Sequence, residues 1–349
     1  MNLLSLKEQV LYCVPGKIKK VGQSYNLEKA VVITDKGAYY AYYKSDVVEY
    51  IQGTEGLDLK EGLCSFNHTV LLATNGALYY FGENSMMQLG VSSEEVNSIT
   101  RYDDEFFDGE LVSQVAIGAY HTLVLTENNK LFLAGFDYFG ARRLDKRKYI
   151  MLTSSYCSLL NDCKIEMIKS GVCHFAILTS EGHVLTSGSN AFGQLGHTHG
   201  GSGYTTLDQI NSSNGTPLLV KDVACGSYCT IVLDQHNNLI YYGHQGGSPL
   251  SIKLDCMVLE LSEDDVGYDV KKKDIIVKTK NSILRFEVER ALKNPEVVQP
   301  HNLLYCHHRD LSTSQSFIYV NRSAADYFYF TNLKSMVGSD NLFDISIII

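Results

Sequence analysis

Three glycines and two amides crowd the stretch Ser187-Gly188-Ser189-Asn190-Ala191-Phe192-Gly193-Gln194-Leu195-Gly196-His197. Such a composition can cradle phosphate if the loop leads into a helix whose N-terminus faces the anion. Here the chain runs on as His197-Thr198-His199-Gly200-Gly201-Ser202-Gly203. Glycine at that density opens no helix, since each interior Gly costs about 1 kcal/mol relative to Ala. His68, His121 and His174 invite a metal or general-base reading, but they are widely and evenly spaced and no close Cys/His pair accompanies any of them. Cys225 with Cys229, and Cys306 with His307 and His308, lack a second pair of ligands at zinc spacing. No Ser-His-Asp or paired-carboxylate arrangement can be singled out. The expectation is therefore no catalytic, cofactor-binding or metal-binding residue, and a structural task for these glycines, amides and histidines.

That task follows from a repeat. The segment GAYHTLVLTENNKLFLAG at 118–135 aligns without gaps to GVCHFAILTSEGHVLTSG at 171–188, and again to GSYCTIVLDQHNNLIYYG at 226–243 and SFNHTVLLATNGALYYFG at 65–82. The positions His68, His121, His174 and Cys229 recur at a near-constant interval, the last only slightly longer than the first two, and Gly82, Gly135, Gly188 and Gly243 keep the same intervals. Gly118, Gly171 and Gly226 open their segments. Each unit holds two runs of strand formers about a polar turn, which reads as a hairpin. Turns of this kind are expected at Asp35-Lys36-Gly37, Asn75-Gly76, Asn128-Asn129, Glu181-Gly182, Asn237-Asn238, Lys280-Asn281 and Asn321-Arg322, seven in all.

At this point the residues resemble the regulator-of-chromosome-condensation repeats. GSNAFGQLG at 188–196 matches their G-x-N-x-x-G-Q-L-G at every fixed position, with Gly188, Asn190, Gly193, Gln194 and Gly196 in place, and GENSMMQLG at 82–90 departs only at Met87. GFDYFGARR at 135–143 keeps only the two glycines. The resemblance implies an all-β fold, a seven-bladed β-propeller built from repeats of about 53 residues and closed into a ring by the N-terminal strand pairing into the last blade. The expected domain spans 1–330. The family places Trp before the closing glycine of each unit, whereas this chain has no Trp and carries Phe81, Ala134, Ser187 and Tyr242 there. Some of its 23 tyrosines are expected to fill that space.

Hydrophobic residues make up 45% of the 349 and charged residues 20%, the balance of a globular chain with a large core. A net charge of −9 argues against nucleic acid, whose capture rests on Lys and Arg displacing counterions. No apolar run approaches the roughly 18 residues of a membrane span. The N-terminus lacks the pattern of a secretion signal, and nine scattered cysteines read as reduced thiols, so a cytoplasmic or nuclear location is expected.

Binding is then expected at the loops between strands. The segment 91–110 carries Glu94, Glu95, Asp103, Asp104, Glu105, Phe106 and Phe107, read as an acidic docking loop with exposed aromatics. The segment 136–150 carries Arg142, Arg143 and Arg147, a basic counterpart. The residues at 332–349 include Leu342-Phe343-Asp344-Ile345-Ser346-Ile347, which looks like the opening strand of a BTB domain, with a last propeller strand or a linker as the alternative. These features point to a non-catalytic scaffold that binds another protein, a client-presenting adaptor of a cullin ubiquitin ligase if a BTB domain follows and otherwise a monomer. The family resemblance supplies the alternative, nucleotide exchange on a Ran-like or other small GTPase.

Overall fold

The computed structural model describes residues 9–22, 29–42, 47–135 and 149–253, the last excepting 154, 161–162, 198–203, 213–214 and 244–248. Beyond 253 it describes the backbone of strands at 258–265, 273–279, 283–287, 296–298, 315–321 and 326–331.

Seven antiparallel sheets follow one another along these residues. Strands β2 (Ile18–Val21), β3 (Lys29–Thr34), β4 (Gly37–Tyr42) and β5 (Val48–Tyr50) make the first sheet in that order. The second holds β6 (Leu59–Cys64), β7 (His68–Ala73), β8 (Leu78–Glu83) and β9 (Glu95–Arg101), and the third β10 (Val112–Ile117), β11 (His121–Thr126), β12 (Leu131–Gly135) and β13 (Ile150–Leu152). The fourth holds β14 (Ile165–Ser170), β15 (His174–Thr179), β16 (Val184–Ser189) and β17 (Tyr204–Gln209), and the fifth β18 (Val220–Cys225), β19 (Thr230–Asp234), β20 (Asn238–Tyr242) and β21 (Leu250–Lys253). The sixth is β22 (Val258–Asp265), β23 (Lys273–Thr279), β24 (Ile283–Glu287) and β25 (Glu296–Val298). In the seventh, β1 (Gln9–Pro15) pairs with β26 (Gln315–Asn321), which pairs with β27 (Asp326–Thr331). The first described strand thus joins the last described hairpin, Gln9 opposite Asn321.

Five of the expected turns fall between strands that neighbour each other in a sheet, while Lys280-Asn281 and Arg322 lie outside the described residues. Their chemistry is local: Gly37, Gly76, Asn129, Gly182 and Asn237 all take positive φ, from +65° at Asn237 to +132° at Gly37. Glycine adopts that region freely, and Asn tolerates it best of the others. The hairpin strands are apolar because both faces of a sheet are covered. Every residue of β7, β11 and β15 is buried, and so is every residue of β19. One core cluster joins Leu123, Leu125 and Leu133 of the third sheet to Phe175, Ile177 and Leu185 of the fourth, and another joins Ala176 and Val184 of the fourth to Val223 and Val232 of the fifth.

A second repeat, invisible in the residue types, lies in the first strands. The pairing register slips between Ile18 and Lys20, Leu59 and Glu61, Val112 and Gln114, Ile165 and Met167, Val220 and Asp222, and Val258 and Glu260. One extra residue at the same place in six sheets is a recurrent β-bulge, which re-aims the side chains beside it.

Contacts divide the chain into two units, Met1–Phe81 with Asn97–Arg101 and Gln299–Ile349, and Gly82–Val96 with Tyr102–Val298. The segment 91–110, expected as a free loop, is partly ordered secondary structure: it contains the outer strand β9 and a 3-10 turn at Asp104–Phe107. Residues 136–148, with Arg142, Arg143 and Arg147, lie outside the described residues. So do Cys306, His307 and His308, and 332–349 with the BTB-like stretch.

Candidate partner-binding site and its scaffold

The glycine-rich loop at 187–197 turns its amide oxygens on its own backbone, while Gln194 Nε2 is buried without a hydrogen-bond partner among the described residues. Asn190 receives the N–H of Leu195 at 3.0 Å and donates to the carbonyl of His197 at 3.2 Å, while Gln194 receives the N–H of Phe192 at 2.8 Å. Thr186 donates to the Leu195 carbonyl at 2.7 Å. The copy at 82–93 repeats the scheme: Leu89 donates to Asn84 at 2.7 Å, Met86 to Gln88 at 3.0 Å, and Gln88 to the Glu83 carbonyl at 2.8 Å. Loop backbone that no strand partner reaches is satisfied by these amides. Gly193 and Met87 hold the same position and both take positive φ, +79° and +59°.

The histidines and the closing glycines are one device. His121 lies directly across from Gly135, and His174 from Gly188, in the β11–β12 and β15–β16 ladders. A side chain on Gly188 would meet the Cys173 carbonyl at 2.5 Å, with φ at +115°. The opening glycines serve the approach of one sheet to the next. A Cβ on Gly171 would collide with the Gly226 carbonyl oxygen, and the turns there are tied by Ala119 N–H to Val172 O at 2.9 Å and Val172 N–H to Ser227 O at 3.2 Å. His121 Nε2 lies 2.5 Å from Ser170 Oγ, and His174 Nε2 lies 3.0 Å from the Cys229 carbonyl oxygen, each partner standing in the following sheet. His68 bonds Ser65 through Nδ1 at 3.1 Å, and burial pushes its pKa down to about 3.

Where the family carries Trp, Ala134 and Tyr242 abut the last glycine of the preceding loop. A Cβ on Gly90 would touch Ala134 at 3.2 Å and the Tyr149 ring at 2.5 Å, and one on Gly196 would touch Tyr242 at 3.1 Å. Tyr149 supplies the bulk that Ala134 lacks, and it packs edge-on against Tyr102 and Phe107, with centroids at 5.8 and 5.1 Å.

Phe107 is accordingly a correction to the docking-loop reading. It is 4% exposed and packs on Phe132 at 5.4 Å, so it is a core anchor for the segment rather than a contact for a partner. Phe106 is half-buried, 5.0 Å from the Tyr102 ring. The acids are also divided. Glu94 and Glu95 are exposed at the start of β9, while Asp103, Asp104 and Glu105 follow its far end, with Asp103 and Glu105 exposed. Seven strand residues at about 3.3 Å each separate the two groups by about 23 Å. Asp108 and Glu110 are committed elsewhere, to Lys130 at 3.1 and 2.8 Å, and Thr126 donates to Glu110. Burial acts upward on the Glu110 pKa, but the Lys130 and Thr126 hydrogen bonds hold it below the ordinary value.

Sequence reasoning passed over the bulge residues. Gln114 donates to the Glu166 carbonyl at 2.7 Å and receives Ile168 N–H at 3.2 Å, and Lys20 pairs with Glu61 at 2.7 Å. Asn129 adds a second clasp, donating to the Cys163 carbonyl at 2.8 Å and receiving Ile165 N–H at 2.7 Å. A polar pair after an apolar residue, as Ser113-Gln114 after Val112, is not kept at Glu166-Met167 or Leu259-Glu260, so residue type gave no usable signal.

Comparison with known proteins agrees with this architecture. Models of the regulator of chromosome condensation (RCC1) repeat match residues 112–141 and 181–233. The chain is 29% identical over 181 residues to the human probable E3 ubiquitin-protein ligase HERC3, covering 51% of this chain and 17% of that protein. It is 33% identical over 127 residues to the bovine secretion-regulating guanine nucleotide exchange factor, covering 36% of this chain and 27% of that one. The chain thus spans well under a third of either relative. Among solved structures, Prp20p from Saccharomyces cerevisiae superposes with a TM-score of 0.60 at 14% identity, covering 82% of this chain and 77% of that one. Repeat motif, sheet order and structural likeness agree: the chain carries RCC1 repeats and has a β-propeller fold.

Proposed function

We propose that this chain is a protein-interaction scaffold that holds a partner protein at the loops joining its strands and performs no chemistry itself. One observation carries the reading. The repeated amides Asn84, Gln88, Asn190 and Gln194 and the repeated His68, His121 and His174 all hydrogen-bond within the scaffold. What varies from repeat to repeat, and is exposed, is left to specify a partner. Glu94 and Glu95 at one end of β9, and Asp103 and Glu105 at the other, are the described candidates. Arg142, Arg143 and Arg147 are the basic ones. A BTB domain beyond 332–349 would make such a scaffold the client-binding arm of a cullin ubiquitin ligase.

A second reading, nucleotide exchange on a small GTPase, is favoured by the likeness to the secretion-regulating exchange factor. Both are tested on one panel of purified small GTPases loaded with labelled GDP. Stable complex formation without faster release supports the scaffold. Accelerated release at catalytic amounts of this protein replaces it with the exchange factor.

A further inference from the structure

A groove of about 510 Å³ runs between the start of β14 and the turn end of the β11–β12 hairpin. Its walls include Ser113 and Gln114 of the β10 bulge, Glu127 and Asn129 of the hairpin turn, and Lys164 and Glu166. The junction of the first and second sheets offers a closed counterpart. Lys19 is the first bulge residue of β2, and it spans to Asp58, just before β6, at 2.5 Å. The position of Lys19 in β10 is Ser113, and the position of Asp58 before β14 is Lys164. A short hydroxyl stands where the long cation stood, and it is turned inward to the carbonyls of Leu125 at 2.9 Å and Thr126 at 3.1 Å. No Ser113–Lys164 bridge takes the place of the Lys19–Asp58 pair.

The wall amides are spent, Gln114 and Asn129 each making two bonds to the fourth sheet. The rim charges are not: Glu127, Lys164 and Glu166 are exposed, and among the described residues none has a side-chain ion pair or hydrogen bond. Some other exposed charges are matched, as Lys20 with Glu61 and Lys130 with Asp108 and Glu110.

We propose that this groove binds a short extended segment of a partner protein in which a carboxylate side chain is flanked by basic ones. The carboxylate fills the place of the missing bulge–rim pair by meeting Lys164, and the flanking cations meet Glu127 and Glu166. A pre-formed cleft of this size falls in the range that takes a few residues of peptide. The rigid clasps on its walls keep the cost of ordering low. Peptide capture here stands whether or not the chain discharges a GTPase.

The probe is the fluorescently labelled peptide acetyl-Lys-Glu-Lys-amide, read by anisotropy against acetyl-Gln-Gln-Gln-amide on the full chain. Saturable binding of the charged peptide alone, weakening with added salt, is expected. The exposed pair Glu127→Gln and Glu166→Gln should weaken it up to about five-fold per lost ion pair without moving the melting curve. The double variant Ser113→Lys with Lys164→Asp rebuilds the Lys19–Asp58 arrangement, closes the groove and should abolish binding. Failure of the charged peptide to bind the natural chain, equal binding of both peptides, or affinity unchanged in the Gln variants would overturn the proposal.

Discussion

His174 Nε2 lies 3.0 Å from the carbonyl oxygen of Cys229, the residue that holds the histidine's own place in the next repeat. The imidazole must donate there, which fixes its Nε2–H tautomer and ties sheet to sheet through a position that has itself lost the histidine. His174→Leu keeps an apolar volume but leaves the Cys229 carbonyl with the Gly226 N–H alone, at 3.0 Å, at a cost of about 0.5–1.5 kcal/mol. Urea unfolding followed by circular dichroism should show a lower midpoint with an unchanged slope.

Two glycines should respond very differently to the same change. On Gly171 an added methyl collides with the Gly226 carbonyl and the His174 ring, whereas on Gly109, at φ +75°, it meets nothing within 4 Å. Gly109→Ala should cost only the left-handed backbone penalty, about 1–2 kcal/mol. Gly171→Ala should cost more, because backbone must move at a sheet junction. Equal losses in thermal unfolding would show that the junction is softer than this geometry implies.

At Met87 the sequence departs from the repeat and the backbone does not, since φ stays at +59°. Met87→Gly should stabilise the chain by about 0.5–1 kcal/mol, the relief of left-handed strain less the entropy that glycine adds to the unfolded chain. A higher melting temperature is the expected readout.

Acid should weaken the fold in a defined window. Burial holds His68 neutral down to about pH 3, well below its unfolded pKa of about 6.5. A depressed folded pKa gives stability that is complete above the unfolded value and is lost as pH falls toward the folded one. Between these limits the slope is at most about 1.4 kcal/mol per pH unit for this one group. His68→Gln should flatten the fall in urea midpoint between pH 6.5 and 4. A parallel fall in both proteins would assign it to carboxylates such as Asp58, whose pKa the Lys19 and Thr74 hydrogen bonds lower.

Partner capture should distinguish the two ends of β9. Glu94→Lys with Glu95→Lys alters one end, and Asp103→Lys with Glu105→Lys alters the other. With about 23 Å between the groups, at least two Debye lengths at physiological salt, a partner docked at one end should feel only one pair of changes. Association rates from biolayer interferometry should fall in one double variant and hold in the other.

The hairpins were legible because their information is local. A turn such as Asn128-Asn129 between two apolar runs needs only a positive φ and two buried strands, and the even spacing of His and Gly repeated that message. Strand β9 was not, because Glu-Val-Asn-Ser-Ile-Thr-Arg is an outer strand with few buried residues and so lacks the alternation that marks one. Phe107 misled because acidic neighbours hid a ring whose partners, Phe132 and Tyr149, lie well along the chain, in β12 and just before β13. The bulges left no trace in residue type, since one inserted residue shifts the pleat without demanding glycine or proline. With them went the groove, at whose rim Ser113 and Lys164 stand in the places of Lys19 and Asp58.

The ties from Ala119 to Val172 and from Val172 to Ser227 make the turn at Gly171 a donor to the next turn and an acceptor from the last. A repeat is therefore not a bead that can be slipped out. Its removal would leave one neighbour with a bare N–H and the other with a bare carbonyl, both facing a Gly-to-Gly contact that tolerates no side chain.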